Sequence, residues 1–241
     1  MWNGFKTRRV TFEERNAVII FPKGKGNGRM ILKTEYLDAF PNFDIQMLEK
    51  GYHLIHLKQR SRWAPDEEID ILARFVEFCS EELATSKKCL LEGMSCGGLQ
   101  AAKFAEKYPQ LVSVLYLDAP VLNLLSMVGL GECKDPSIEM FWREIVATYG
   151  VSKSTIINFR KSPIDNMEPL IANNIPIIML YGNADGVVIY EENGKVLENF
   201  YKENGGNIKV IAKSMVGHHP HGLDDPMPII EFVENNWKNE E

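Results

Sequence analysis

The stretch Lys88-Cys89-Leu90-Leu91-Glu92-Gly93-Met94-Ser95-Cys96-Gly97-Gly98-Leu99-Gln100-Ala101-Ala102 joins an apolar segment to a helix-forming segment through the pattern G-x-S-x-G. It predicts a strand over 88–92 that turns sharply into a helix beginning at Leu99. Such a turn strains its apex residue, Ser95, and leaves little room for side chains at the flanking glycines. Unpaired N–H groups at the start of the helix then stabilise negative charge beside the serine hydroxyl. Ser95 is therefore a candidate nucleophile, the alternative being a turn that only packs tightly.

Length and composition indicate one ordinary α/β domain. The chain has 241 residues, 45% of them hydrophobic and 25% charged, with a net charge of −6. This length is sufficient for a full core. The acidic balance disfavours nucleic acid and an anionic membrane as partners, because both attract basic surfaces. No window has the length of a membrane span, and the N-terminus lacks the apolar core of a secretion signal. We expect a single domain over 1–241, located in the cytoplasm.

Cysteine usage predicts neither a metal site nor a redox motif. The four cysteines, at positions 79, 89, 96 and 133, have spacings that fit no zinc or C-x-x-C pattern. We expect most of them to be buried small hydrophobes in a reducing compartment. Cys96 follows Ser95 directly, so its backbone N–H matters more than its thiol. No cofactor is expected.

Apolar runs rich in Val, Ile and Leu alternate with helical patterns along the chain. The predicted strands cover 9–12, 17–21, 30–33, 52–57, 88–92, 112–117, 175–181 and 208–212. Predicted helices cover 44–51, 65–83, 192–204 and 228–237, besides the one after Ser95. This alternation favours a mostly parallel sheet with helices on both faces. Ligands bind beyond the carboxyl ends of the strands in such sheets.

One interval breaks this alternation. No strand pattern is evident between the strand ending near Asp118 and the one starting at Ile175. Residues 121–172 therefore predict a small helical cap inserted on the carboxyl side of the sheet, where it would lie over the Ser95 turn. The alternative is a pair of ordinary surface helices.

A serine hydroxyl needs a base to take its proton and an acid to orient that base. Asp185 follows the predicted strand 175–181, and His218 follows the strand 208–212. The chain order Ser95, Asp185, His218 is that of α/β-hydrolases and differs from chymotrypsin-like and subtilisin-like proteases. The sequence thus predicts a Ser-His-Asp triad assembled at the carboxyl ends of three strands.

Five segments carry a family likeness, namely Gly93–Gly98, Tyr116–Pro120, Ser162–Asn166, Tyr181–Asp185 and Gly217–Leu223. Together they resemble the α/β-hydrolase superfamily and, more narrowly, a bacterial esterase-like group with a G-H-H-P-H-G histidine loop. The likeness extends over about 21–237 and implies Ser95 as nucleophile, Asp185 as acid and His218 as base. The corresponding turn in that group commonly reads G-M-S-R-G-G. This chain has Cys96 in place of the arginine, so a substrate contact made by that arginine is not carried over.

Alternatives remain open within the site. Asp118 also ends a strand after Ser95 and is an alternative acid, since some lipases take the acid from that position. His219 and His221 are neighbours of His218, and His219 is the alternative base. A metal cluster of His218, His219 and His221 with Asp224 and Asp225 is disfavoured, because no cysteine ligands lie nearby in sequence and the triad already uses one histidine.

The oxyanion hole is predicted to combine the backbone N–H of Cys96 with that of Thr34 or Glu35, in the loop after the third strand. The predicted function is a serine hydrolase that cleaves a small-molecule ester carrying a small acyl group on an alcohol or sugar. A peptidase of the prolyl-oligopeptidase type is the alternative enzyme. Such peptidases usually carry a large extra domain, and a chain of this length is too short to include one. A non-catalytic binding protein with the same fold is the third possibility.

Overall fold

Eight strands form a single sheet in the computed structural model, which describes residues 1–238. In chain order the strands are β1 Thr7–Phe12, β2 Arg15–Ile20, β3 Met30–Lys33, β4 His53–Leu57, β5 Cys89–Met94, β6 Val112–Asp118, β7 Ile177–Gly182 and β8 Ile208–Lys213. Their order across the sheet is β1-β2-β4-β3-β5-β6-β7-β8. Strand β2 is antiparallel to β1 and β4, and the other pairs are parallel. The predicted mostly parallel sheet is confirmed.

Seven α-helices accompany the sheet in the described part of the chain. They are α1 Asn42–Glu49, α2 Asp66–Leu83, α3 Cys96–Lys107, α4 Ile138–Tyr149, α5 Glu168–Ala172, α6 Gly194–Glu203 and α7 Met227–Asn236. None of the helices within 1–238 is long and apolar enough to cross a bilayer. All four cysteines are buried and unpaired, as predicted.

Alternating strand residues divide the core between the two faces of the sheet. On β3, Leu32 belongs to a buried cluster that includes α2, α3 and α6, whereas Ile31 belongs to a second cluster with α1 and α7. Adjacent strand residues point to opposite faces, so a strand buried on both faces needs a continuous apolar run. This is why the central strands could be located from their Val, Ile and Leu content.

The segment 121–172 contains helices and no strand, and all of it lies within the described residues. Its main helix, α4, packs on the loop that follows β4, where the rings of Trp63 and Phe141 lie 5.6 Å apart. The Glu144 carboxylate accepts hydrogen bonds from the Arg62 guanidinium and from Nε1 of Trp63. That this segment acts as a cap over Ser95 stays a prediction.

A charged cluster is buried between α1 and the two central strands. Lys33 Nζ lies 2.6 Å from the Asp44 carboxylate and 3.3 Å from that of Glu92, and all three side chains are at most 1% exposed. Burial by itself lowers the pKa of Lys33, but the two carboxyl groups raise it above its usual value. Burial and the nearby Asp44 raise the pKa of Glu92 well above its usual value, which favours its protonated form.

Candidate functional site

The turn after β5 has the strained geometry that the sequence predicts. Strand β5 reaches Met94 and α3 begins at Cys96, so the helix starts three residues earlier than expected and Ser95 is the whole connection. Ser95 has φ 52° and ψ −120°, a conformation that non-glycine residues rarely adopt. A Cβ atom on Gly93 would lie 2.5 Å from the carbonyl oxygen of Gly97. The turn therefore excludes a side chain at Gly93.

Gly98, just beyond the G-x-S-x-G pattern, is as crowded as Gly93. Its Cβ would lie 2.4 Å from Cβ of Pro120, in the segment that follows β6. A Cβ atom on Gly97 would lie 3.1 Å from Cβ of Glu35, which is a tight contact but not an overlap. Helix α3 thus approaches β6 closely because position 98 has no side chain.

Three distant residues form one hydrogen-bonded chain. His218 Nε2 lies 3.0 Å from Ser95 Oγ, and His218 Nδ1 lies 2.8 Å from Asp185 Oδ2. The Asp185 side chain is 1% exposed and that of His218 is 10% exposed. The structure therefore brings together the three residues that the sequence singles out, at the carboxyl ends of β5, β7 and β8.

Asp185 is held as a charged acceptor. Its Oδ1 accepts hydrogen bonds from the N–H groups of Val187 at 2.8 Å and Val188 at 3.1 Å, which leaves Oδ2 for His218. Burial raises the pKa of Asp185. The hydrogen bond and charge of His218 and the hydrogen bonds from these two N–H groups lower it by more than burial raises it. The net result is a pKa below the usual value. Asp185 is therefore ionised at neutral pH.

The loops that carry Asp185 and His218 are bonded to each other. Asn183 Oδ1 accepts the N–H of Met215 at 2.7 Å, and the N–H of Ala184 donates to the carbonyl of Val216 at 2.9 Å. A Cβ on Gly182 would lie 2.3 Å from that carbonyl. Gly182 and Asn183 were not identified as site residues from sequence. Their position just before Asp185 could have indicated that they support its loop.

Asp118 anchors the histidine loop and does not contact His218 through a hydrogen bond. Its carboxylate accepts hydrogen bonds from Lys213 Nζ at 3.2 and 3.3 Å and from the N–H of Gly222. Its backbone carbonyl accepts the N–H of Ser95 at 3.0 Å. Asp118 thus connects the nucleophile turn to both ends of the loop that presents His218, so the geometry does not support it as the orienting acid.

The other two histidines of the loop lie beside His218 without reaching Ser95 through a hydrogen bond. His219 is exposed and stacks on Phe40 with ring centroids 5.8 Å apart. His221 is buried, and its Nδ1 lies 3.2 Å from Asp118 Oδ1 without the alignment of a hydrogen bond. Within residues 1–238, His218 is the histidine bonded to Ser95, so the geometry does not support His219 as the base.

One of the two expected oxyanion donors in the loop after β3 is already engaged. The N–H of Thr34 donates to the carbonyl of Glu92 at 3.1 Å, so Thr34 is not a free donor. The N–H groups of Glu35 and Cys96 have no acceptor within residues 1–238. Glu35 N lies close to Gly97 on the turn, 3.4 Å from where a Cβ would be. These two N–H groups are the candidate oxyanion hole.

Side chains around this pair of N–H groups hold the loop in place. Gln100 Nε2 donates to the Glu35 carboxylate at 2.9 Å. Burial raises the pKa of the Cys96 thiol to about 11, and the nearby Arg62 and Tyr36 offset only part of that effect. The thiol is therefore neutral and unreactive at physiological pH.

A cleft of about 680 Å³ opens beside Glu35 and Tyr36. Most of its lining is polar or charged, contributed by the loop after β4, the start of α2 and helix α4. The lining includes Lys58, Arg60, Arg62, Glu67, Glu68 and Glu144. The cleft suits a polar ligand better than a long hydrocarbon chain.

Comparison with known proteins identifies the family. The model of the prolyl oligopeptidase family matches residues 56–235. The chain belongs to the prolyl oligopeptidase family. The predicted α/β-hydrolase fold is confirmed. Among curated proteins, none matches the chain.

Solved structures share the fold of this member of the family at low sequence identity. The acylaminoacyl peptidase of Pyrococcus horikoshii is 16% identical with a TM-score of 0.75, over 98% of this chain and 42% of that one. Dipeptidyl peptidase 4 of Porphyromonas gingivalis is 13% identical with a TM-score of 0.70, over 98% and 36%. A candidate lipase of Acinetobacter baumannii is 17% identical with a TM-score of 0.61, over 98% and 94%. The chain thus spans less than half the length of these two peptidases.

Proposed function

We propose that the protein hydrolyses an acyl bond through a covalent intermediate on Ser95, with His218 as base and Asp185 as the acid that orients it. The observation that carries the proposal is the continuous hydrogen-bonded chain from Ser95 Oγ through His218 to Asp185. Because Asp185 is ionised and accepts from Nδ1, the lone pair of His218 Nε2 faces the serine hydroxyl. That arrangement makes the hydroxyl a nucleophile.

The reaction proceeds in two stages. Ser95 Oγ attacks the substrate carbonyl as His218 Nε2 takes its proton, and the N–H groups of Glu35 and Cys96 donate to the oxygen that becomes negative. His218 then gives the proton to the leaving group as the acyl bond breaks. Water then attacks the acyl carbon as His218 Nε2 takes its proton. The bond from that carbon to Ser95 Oγ breaks, and His218 returns the proton to Oγ, which releases the acid and restores Ser95.

The favoured substrate is the amide bond of a short peptide or an acylated amino acid. Two observations support this choice over the ester suggested by the sequence. The family model is that of the prolyl oligopeptidases, and the fold neighbours include an acylaminoacyl peptidase and a dipeptidyl peptidase. The cleft beside Glu35 is lined by charged and polar side chains, which fit the amide groups of a peptide.

A carboxylic ester with a small acyl group on an alcohol or sugar is the second candidate. The candidate lipase is a fold neighbour whose length this chain covers almost completely, at 94%. The proposed triad serves both reactions, since esters and amides pass through the same tetrahedral intermediate. The two candidates differ in the leaving group that His218 must protonate.

The experiment compares one acyl group on two leaving groups. The p-nitroanilide and the p-nitrophenyl ester of the same N-acetylated amino acid are incubated with the parent, with Ser95→Ala and with the control Ser214→Ala, an exposed serine near the same edge of the sheet. We expect the parent and Ser214→Ala to hydrolyse both compounds, and Ser95→Ala to lose about 10³-fold or more in kcat.

The outcomes separate the candidates. Turnover of the ester alone would replace the peptidase candidate with the esterase. Ser95→Ala with the activity of the parent would refute the proposed function in either form. Labelling of the parent by a fluorophosphonate, with none on Ser95→Ala, is the result expected of an enzyme and not of a non-catalytic binding protein.

A further inference from the structure

Three imidazoles meet on the loop that carries His218. The ring centroids of His218, His219 and His221 are 4.8 to 5.0 Å apart in all three pairs, and the ring planes cross at 62° to 86°. One ring nitrogen from each residue lies within 4.8 Å of the other two. The proposed hydrolysis uses only His218, so the mechanism leaves the convergence of the other two rings unexplained.

Two of these rings have a carboxylate close to their Nδ1 atom. A histidine ligand commonly directs its second ring nitrogen to a carboxylate, which fixes the ring. Asp185 lies 2.8 Å from Nδ1 of His218, and Asp118 lies 3.2 Å from Nδ1 of His221. In His218, whose Nδ1 is hydrogen-bonded to Asp185, this leaves Nε2 as the nitrogen that can bind an ion. His221 is 93% buried, and its Nδ1 has no hydrogen-bond partner within residues 1–238.

We propose that a divalent transition ion of the Zn²⁺ class binds His218, His219 and His221, and that it competes with Ser95 for Nε2 of His218. Three nitrogen ligands favour Zn²⁺, Cu²⁺ or Ni²⁺ over Mg²⁺ and Ca²⁺, which prefer oxygen. Nitrogen ligands of a tetrahedral zinc site lie about 3.4 Å apart. Because the nitrogens lie within 4.8 Å of one another, the widest pair must close by at most roughly 1.4 Å when the ion binds.

The competition is for a single lone pair. The neutral His218 ring keeps its proton on Nδ1 toward Asp185, and its Nε2 lone pair accepts the hydrogen bond of Ser95. An ion that takes this lone pair leaves the serine hydroxyl without a base, and no proton needs to move. The ion is thus a reversible inhibitor and not a cofactor.

The binding half of this proposal is independent of the proposed function, whereas the inhibition rests on it. Isothermal titration calorimetry with ZnCl₂, and with MgCl₂ for comparison, measures binding to the parent, Ser95→Ala, His219→Ala and Asp224→Asn. Asp224 is an exposed carboxylate on the same loop and serves as the matched control. We expect one Zn²⁺ per chain in the parent and no binding of Mg²⁺.

Ser95→Ala should bind Zn²⁺ at least as tightly as the parent, because the competing hydroxyl is gone. His219→Ala should bind it about tenfold more weakly or worse, and Asp224→Asn within about twofold of the parent. For each active variant, the rate with Zn²⁺ is divided by the rate without it. Variants that bind Zn²⁺ more weakly should be inhibited less, and a chelator should restore the rate.

Equal affinity of the parent and His219→Ala, or no Zn²⁺ binding to the parent, would overturn the proposed site. Binding without inhibition would overturn the competition. Failure of the proposed function would be seen in a different measurement. Ser95→Ala would then hydrolyse substrate as fast as the parent, independently of its affinity for Zn²⁺.

Discussion

Replacing Asp185 by asparagine tests the orientation of the base. Oδ1 of Asp185 accepts two backbone N–H groups, from Val187 and Val188, so the carbonyl oxygen of the new amide must occupy that position. The amide NH₂ then faces His218 Nδ1 and donates to it. The imidazole must accept at Nδ1 and carry its proton on Nε2, where it can no longer take the proton of Ser95.

The expected loss is about 10⁴-fold in kcat, or about 5.4 kcal/mol in activation free energy, which is the effect of forcing the wrong tautomer in a Ser-His-Asp triad. KM should change little, because Asp185 is buried behind His218 and away from the substrate side. The melting temperature should also change little, since the asparagine keeps all three hydrogen bonds. Steady-state kinetics with a chromogenic ester, together with a thermal melt, give these three quantities.

Asp118→Asn is the matched control and should show the opposite pattern. The Lys213 ammonium, 9% exposed, would lose its charged partner, at a cost of about 3 kcal/mol or roughly 6–12 °C in melting temperature. Because Asp118 does not bond His218, the folded fraction should retain activity within about tenfold of the parent. The assignment of the acid is refuted if Asp118→Asn abolishes turnover while Asp185→Asn leaves it intact.

Three further substitutions test other parts of the site and its support. Gly98→Ala places a Cβ 2.4 Å from that of Pro120 and should lower the free energy of unfolding by about 1–3 kcal/mol in urea, whereas Gly186→Ala, with nothing within 4 Å, should be neutral. Cys96→Ala should keep activity within a few-fold, and iodoacetamide at pH 7 should not inhibit the parent, because burial holds the thiol pKa at about 11. Inhibition by the reagent would count against that. Glu198→Gln should cost up to about 1 kcal/mol at pH 7. Burial raises the pKa of Glu198, but hydrogen bonds from two lysines and a tyrosine lower it to about 2, so the gap between parent and variant should close as pH falls from about 4.5 toward 2. A gap that widens on acidification would contradict this reasoning.

The sheet and the three residues of the proposed triad were accessible from sequence for physical reasons. A strand buried on both faces must be apolar throughout, so β5, β6 and β7 are visible as uninterrupted runs. Side chains that follow such strands meet at one edge, which brings Ser95, Asp185 and His218 together. Strand ends were less certain, because Gly93 and Met94 join β5 only by pairing with Leu117 and Asp118.

Features that depend on pairing between distant segments were not predictable. Thr34 and Glu35 are equivalent loop residues in the sequence, and only the alignment of Lys33 with Glu92 across β3 and β5 places the Thr34 N–H on a carbonyl. The role of Asp118 depends on Lys213 and Gly222, about a hundred residues away along the chain. The substrate preference likewise depends on which loops line the cleft, a property of packing and not of any local pattern.

The buried cluster of Lys33, Asp44 and Glu92 ties the two halves of the candidate oxyanion hole to one ammonium group. Lys33 immediately precedes the loop of Glu35, and Glu92 lies on β5 three residues before Ser95. Replacing Lys33 alone would leave two buried carboxyl groups without a charged partner, which lowers the stability of the fold. Replacing all three residues by apolar residues of similar volume would avoid that cost. These three positions should therefore change together or not at all in functional variants of this chain. In a library with all three positions randomised, the residues found at them in selected active variants should covary.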